Sequence, residues 1–298
     1  MTMLRGQLRE SVPMARYTTW RVGGPAERLY EPADAADLGA FLASDQATEP
    51  LFWLGLGSNL LVRDGGLRGS VVRLHRGLAS LQDLGDGRVH ADAGVPCAKL
   101  ARWCGRRGYA GAEFFAGIPG TVGGALAMNA GAWGGETWAR VESVNTVDRQ
   151  GLTHRRLPAA FEVGYRHVRG QAGEWFTSAT FQFQPGGDPE ALKARVRSLL
   201  GERAETQPTG MASGGSVFRN PPGDHAARLI EAAGLKGYRS GGAWVSEKHA
   251  NFIVHAGDAR AADIESLIHF VQARVEALHG VVLEPEVRVV GEAPDDAH

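Results

Sequence analysis

FFAGIPGTVGGALAMNAGAWGG, residues 114–135, runs 22 residues without a charge and carries seven glycines, one proline and one asparagine. Three structures suit such a run: a membrane span, a packed core segment, or a backbone cradle for a ligand. Its length alone would suffice for a span. The glycines Gly117, Gly120, Gly123, Gly124, Gly131, Gly134 and Gly135, with Pro119, argue against one, because they weaken a helix and lower its hydrophobicity. Glycine has no Cβ, so its N–H can approach a phosphate or a ring closely and its φ can turn positive. Several such N–H groups in succession form a concavity for an anion. The run therefore reads first as a cradle for a phosphate-bearing cofactor.

Sixty residues upstream lies a second glycine loop, LGLGSNL, residues 54–60. Gly55 and Gly57 give the start of a G-x-G-x-x-G pattern, but Leu60 takes the place of the third glycine, and Leu61-Val62 reads as strand. The dinucleotide fingerprint of a Rossmann fold needs a helix there and fails. Ser58 and Asn59 add side-chain donors beside backbone N–H groups, which suits a pyrophosphate. Two glycine loops, neither of them a Walker A nor a Rossmann motif, point to one extended dinucleotide held between two subdomains. Flavin adenine dinucleotide fits that description.

Composition narrows the alternatives. A chain of 298 residues can bury one or two sizeable cores, and two or three modules are expected. A net charge of −1 gives no electrostatic footprint for nucleic acid or a membrane surface. Glycine, at 41 residues, is about twice the ~7% norm and falls in short clusters, the mark of many tight turns. Cys97 and Cys104 stand seven apart on an apparent helix with Leu100 and Ala101. An i, i+7 pair lies ~10 Å apart along a helix, so one apolar face explains both and a disulfide does not. No Cys/His cluster suggests a metal. The N-terminus lacks an apolar signal core, so a cytoplasmic protein is expected.

Along the chain, residues 1–16 read as a loosely held arm and 17–30 as extended chain around the turn Gly23-Gly24-Pro25. A helix at 33–45, a strand at 50–54 and another at 60–62 suggest a small α/β unit. From 71 to 183 short strands follow, at 71–74, 88–93, 143–148, 152–157 and 175–182, with a helix at 97–107 stopped by Gly108. Residues 185–187 read as a linker. Asp188 and Pro189 then open a helix as N-cap and N1. A second long helix at 259–279 carries Ile264, Leu267, Ile268, Val271, Val275 and Leu278 on one face and stops at Gly280. A strand at 281–291 and a solvated tail, 292–298, close the chain.

Seven segments, in order and spanning nearly the whole chain, resemble the UDP-N-acetylenolpyruvoylglucosamine reductase (MurB) family. They are TTWRVGGPAE (18–27), LGLGSNLLV (54–62), AGIPGTVGGALAMNAGAWG (116–134), GYRHV (164–168), GGSVFRNP (214–221), AARLIEAAGLKGYRSGGAWVSEKHANFIV (226–254) and LEPEVRVVG (283–291). The resemblance implies an α+β chain. It would have an FAD-binding fold of the vanillyl-alcohol oxidase type, built of two α+β subdomains, and a C-terminal α/β substrate-binding domain. The expected divisions are 1–70, joined by the strand region 281–298, then 71–187, then 188–280. It further implies an NADPH-dependent oxidoreductase with non-covalent FAD. Such an enzyme reduces the enolpyruvyl ether of a UDP-sugar to UDP-N-acetylmuramate for peptidoglycan synthesis, with no obligate protein partner. The stretch after Arg166 is short, as in family members that lack a long insertion there.

The family's cofactor positions fall on Gly55, Gly57, Ser58, Asn59 and Leu60, and on Gly117, Ile118, Pro119, Gly120, Thr121, Gly123, Gly124, Asn129 and Gly131. Its catalytic arginine falls on Arg166, whose fork of N–H donors suits the substrate carboxylate. Its proton donor falls on Ser216. Glu284 and Glu286 share a nominal strand face, so spacing does not choose between them. The family's E-V-R step selects Glu286, which burial against substrate would equip to donate a hydrogen bond to the developing enolate. Substrate contacts are implied for Tyr165, Arg219, Asn220, Lys248 and His249. The chain departs from the family pattern at Val168, where serine is frequent, at Arg219, where lysine is usual, and at Trp244 and His255, where amides are expected. His75 reads as an ordinary residue. The residues taken without the resemblance leave three classes open: a flavin enzyme, a nucleotide-binding regulatory protein and an interaction module.

Overall fold

The computed structural model describes residues 3–294. Among these residues the helices are α1 (Ala35–Leu42), α2 (Cys97–Gly105), α3 (Val122–Met128), α4 (Pro189–Thr206), α5 (Ala226–Ala232) and α6 (Ala261–His279). Asp34 caps α1, its Oδ1 accepting from the Asp37 N–H at 2.9 Å. Asp188 caps α4 as the sequence predicts, its Oδ1 accepting from the Glu190 N–H at 3.1 Å. Gly280 ends α6 at φ 66°, the left-handed stop that costs glycine little.

The chain divides into two compact units, the first of residues 3–9, 28–56 and 69–202, the second of 10–27, 57–68 and 203–294. The first unit holds an antiparallel sheet in the order Thr153–Arg156, Val141–Asp148, Glu174–Gln182, Arg88–Asp92, Leu81–Gly85. Its inward residues, among them Val89, Val144, Ala179 and Phe181, pack against Leu100 and Cys104 of α2, Phe115, and Val122 and Leu126 of α3. A second core in this unit gathers Tyr30, Leu38, Phe41, Val72 and Val147. Strand Leu51–Leu54 runs parallel to Leu67–Arg73.

The second unit is built around α6. Ile264, Leu267, Ile268, Val271 and Val275 are buried against Leu229 and Ile230 of α5 and against Val245 and Ile253. The latter two lie on paired strands, Ala243–Val245 and Ile253–His255. Parallel pairing joins Arg288–Val290 to Leu60–Val62.

Several elements depart from the sequence reading. Residues 7–13, expected in a loose arm, form a strand, Gln7–Pro13, that buries Val12 and sets Leu8 against the Tyr30–Phe41 core. Of the strand expected at 281–291, only Arg288–Val290 forms a ladder; Pro285, which has no N–H to give, makes an isolated bridge to Phe218. The glycine run contains a helix, α3, that glycine content obscures. The tail expected at 292–298 lies outside the described residues from 295 on.

Candidate active site

In the first unit, Thr121 sits where the two glycine loops meet. A Cβ on Gly55 would stand 2.5 Å from the Thr121 Oγ1, so only glycine lets the loop after strand Leu51–Leu54 approach. The run is pinned from behind. Cys97 donates to the Gly120 carbonyl at 2.9 Å, and Val122 and Gly123 donate to Val95 and Ala93 at 2.8 Å each. The N–H groups of Gly55, Gly120 and Thr121 find no acceptor among the described residues.

Four glycines of the run are held by close packing, and Gly134 by its left-handed φ of 81°. Added Cβ atoms would reach within 2.5 Å of the Trp133 ring from Gly117, 2.9 Å of the Ala93 Cβ from Gly123, 2.4 Å of the Gly135 carbonyl from Gly131, and 2.6 Å of Phe114 from Gly135. These are packing glycines. Gly124 is different: a Cβ there would meet nothing nearer than 3.9 Å, although glycine weakens the helix it sits in. No neighbour in the chain accounts for its lack of a side chain. An open glycine beside unsatisfied N–H groups fits a bound phosphate-bearing cofactor.

Arg166 lies at the tip of a two-residue hairpin between Glu162–Gly164 and His167–Arg169. Its φ of 53° is left-handed, an uncommon backbone for a residue with a Cβ. The guanidinium donates to the carbonyls of Gly131 at 3.1 Å and Asn129 at 3.4 Å, and lies 5.0 Å from the half-exposed Tyr165 ring. The catalytic arginine implied by the family thus rests on the far end of the glycine run. Val168 pairs with Val163 and packs on the sheet core, which accounts for an apolar residue at that position.

In the second unit, Gly57 holds φ +64° where a Cβ would fall 2.0 Å from the Tyr17 carbonyl. The N–H groups of Gly57 and Ser58 have no acceptor among the described residues. The Asn59 amide donates to the Glu286 carbonyl at 3.1 Å, and Arg288 donates to the Asn59 carbonyl at 3.0 Å, so the loop is tied to the Glu286 segment. Glu286 in turn donates its N–H to the Val217 carbonyl at 2.7 Å. This places Ser216 and Glu286 on neighbouring, hydrogen-bonded backbone. Glu284 is exposed and pairs with Arg219 at 3.5 Å, whereas Glu286 is half-buried, a distinction that strand alternation did not provide.

Asn251 fixes the Ser216 segment. Buried, it accepts the Phe218 N–H at 2.9 Å and donates to the Phe218 carbonyl at 2.8 Å, while its own carbonyl accepts from Val217 at 2.9 Å. Sequence reasoning passed over it, since an asparagine in an apolar strand segment carries no signal of what it will face. Asn220 accepts from Ala226 at 3.1 Å at the start of α5. Lys248 is exposed and donates to the Ala204 carbonyl. His249 accepts the Asn251 N–H on Nδ1 at 3.3 Å, and burial, then Lys236, pushes its pKa down. His255, buried, donates to the Trp20 carbonyl and accepts from Gly257 at 3.0 Å; Trp244 carries Arg239 over its ring at 4.3 Å. Trp244 and His255, two of the four departures from the family pattern, are thus both engaged within the chain.

Elsewhere, His75 Nδ1 lies 3.1 Å from the Gly94 carbonyl. Cys97 and Cys104 are both free and buried. No helix among the described residues is long and apolar enough to cross a membrane.

The family described as "FAD binding domain" matches residues 26–156, which include both glycine loops, and places the chain among FAD-binding proteins. A second family, "UDP-N-acetylenolpyruvoylglucosamine reductase, C-terminal domain", matches residues 207–290. The chain is 64% identical to the UDP-N-acetylenolpyruvoylglucosamine reductase of Alkalilimnicola ehrlichii, covering 97% of this chain and 96% of that one. Identity to the same-named protein of Methylococcus capsulatus is 61%, with coverage of 97% and 95%. The crystal structure of UDP-N-acetylenolpyruvylglucosamine reductase (MurB) from Thermus caldophilus is 35% identical, with a TM-score of 0.82 over 97% of this chain and 100% of that one. The chain belongs to the UDP-N-acetylenolpyruvoylglucosamine reductase family.

Proposed function

We propose that this chain performs its family's reaction with Arg166, Ser216 and Glu286. It is an FAD oxidoreductase that takes reducing equivalents from NADPH and reduces the enolpyruvyl ether of UDP-N-acetylglucosamine to UDP-N-acetylmuramate, a step of peptidoglycan precursor synthesis. When bound, FAD supplies the hydride chemistry.

Gly55, Gly57, Ser58, Asn59 and Leu60, with Gly117, Ile118, Pro119, Gly120, Thr121, Gly123, Gly124 and Gly131, hold the cofactor. Of these, the backbone N–H groups of Gly55, Gly57, Ser58, Gly120 and Thr121, which have no acceptor among the described residues, would receive its phosphates. Arg166 presents its planar fork to the substrate carboxylate. Electron density moves onto the carbon bearing that carboxylate as the double bond is reduced. Glu286 donates a hydrogen bond to the enolate so formed, where charge stabilisation counts most. Ser216 delivers its hydroxyl proton to that carbon. Tyr165, Arg219, Asn220, Lys248 and His249 contact the rest of the substrate. The three divisions 1–70, 71–187 and 188–280 correspond to two cofactor subdomains and a substrate domain. The protein works in the cytoplasm and needs no obligate protein partner.

The observation that carries this reading is the 2.7 Å bond from the Glu286 N–H to the Val217 carbonyl, which brings Ser216 and Glu286 onto adjoining backbone. Ser216→Ala tests it. Reduction of bound flavin by NADPH is expected to proceed as in the parent, and reoxidation by the enolpyruvyl substrate to be blocked. Undiminished turnover in this variant would remove Ser216 from the role.

A further inference from the structure

We propose that Asn129 is a positioning residue for Arg166 and not a side-chain ligand of the cofactor. The proposal rests on the reading of Arg166 as the carboxylate-binding group.

Asn129 ends α3 in the left-handed conformation, φ 45° and ψ 52°, and is buried. Its amide is engaged by the chain on both sides. Nδ2 donates to Glu136 Oε2 at 3.0 Å and to the Gly164 carbonyl at 3.2 Å, and Oδ1 accepts the Trp138 N–H at 3.1 Å. An amide nitrogen has two hydrogens, and both are used here. Its backbone carbonyl accepts from Arg166. Gly164 is the last residue of the strand that leads into the Tyr165-Arg166 tip.

One residue therefore holds the hairpin at two points. The side chain fixes the strand just before the tip, and the carbonyl receives the guanidinium two residues later. The Asn129–Gly164 bond fixes where the tip begins, and the left-handed φ of Arg166 fixes how it turns. The Arg166 guanidinium then rests on carbonyls of the run, at Asn129 and Gly131, that orient its planar fork. Glycine would tolerate the Asn129 backbone but bring no amide. Asparagine is the common alternative at such a helix end and supplies both the conformation and the donors.

Asn129→Gly separates the amide from the backbone conformation. Bound FAD and the rate of flavin reduction by NADPH are expected to match the parent. Reoxidation by the enolpyruvyl substrate should slow by about tenfold or more, the scale of a small misplacement of a catalytic group. Asn129→Asp, which keeps the acceptor for Trp138 and loses the donors, should do the same, and it carries the test if the glycine variant does not fold. Arg166→Lys gives the reference loss. Combining it with Asn129→Gly should add nothing further, because two residues acting through one group are not additive.

Reoxidation unchanged in both Asn129 variants, while Arg166→Lys is impaired, would overturn the inference alone. So would losses that add in the double variant, or Asn129 variants that fold but purify without FAD. Unimpaired reoxidation in Arg166→Lys would overturn the role of Arg166 itself, and the inference with it.

Discussion

Gly124 separates a cofactor cradle from a merely flexible helix. A Cβ there meets nothing within 3.9 Å, so the chain gives no steric reason for glycine. Alanine should raise the stability of the cofactor-free protein by about 0.5–1 kcal/mol, the usual helix gain over glycine. It should at the same time weaken FAD binding. Thermal melts and FAD titrations of Gly124→Ala check the two halves, and unchanged FAD affinity would contradict the cradle. His249 gives a pH test at the same scale. Burial holds its pKa below 6.5, so between that depressed value and 6.5 the unfolded chain binds a proton that the folded chain does not. Stability therefore rises with pH across that window and is lost as pH falls through it. Denaturant melts on either side of the window should show this dependence in the parent and less of it in His249→Gln. Burial also pushes the Cys104 thiol up to about 12 and the Cys97 thiol higher still. Neither should react with alkylating reagents at neutral pH until the protein unfolds, because the thiolate is the nucleophile.

At the scale of elements, the helices with strong end signals were legible. Asp188-Pro189 and Gly280 bound α4 and α6 where the sequence puts their ends, because capping chemistry is local. The 3.6-residue stripe of α6 names six residues; five are buried in the second unit, and Leu278, in the last turn, is exposed. Leu267→Ala should cost about 2–5 kcal/mol, as for other buried leucines, with little change in the denaturant slope. An effect near zero would mean that this face does not pack as described. The elements that were missed depend on partners far along the chain. Strand Gln7–Pro13 belongs to a sheet whose other members begin at Pro25, Leu51 and Leu67. α3 is built from glycines and alanines, and it forms because Thr121 caps it, Asn129 ends it and Val122 and Leu126 bury into the sheet core. The pairing of Val217 with Glu286 spans sixty-nine positions and follows from no local pattern. The two glycine loops could be read as a cradle from the residues themselves, whereas the Arg166, Ser216 and Glu286 positions could be named in advance only through the resemblance. The amides that brace two of them, Asn129 and Asn251, could not be named as braces.

At the scale of the molecule, the chain carries two compact units, and the residues proposed for the chemistry are divided between them: Arg166 in the first, Ser216 and Glu286 in the second. The glycine run contains no acid, base or nucleophile, yet its carbonyls hold the arginine that would meet the substrate. In the proposed function, cofactor binding and the seating of Arg166 share one segment, residues 114–135. The absorption spectrum of the purified protein tests the whole account most directly. The account predicts the yellow bands of bound FAD, bleached by NADPH without oxygen and restored when the enolpyruvyl substrate is added, with the lactyl ether as product. A colourless protein that takes up no FAD, or a reduced flavin that the substrate does not reoxidise, would contradict it.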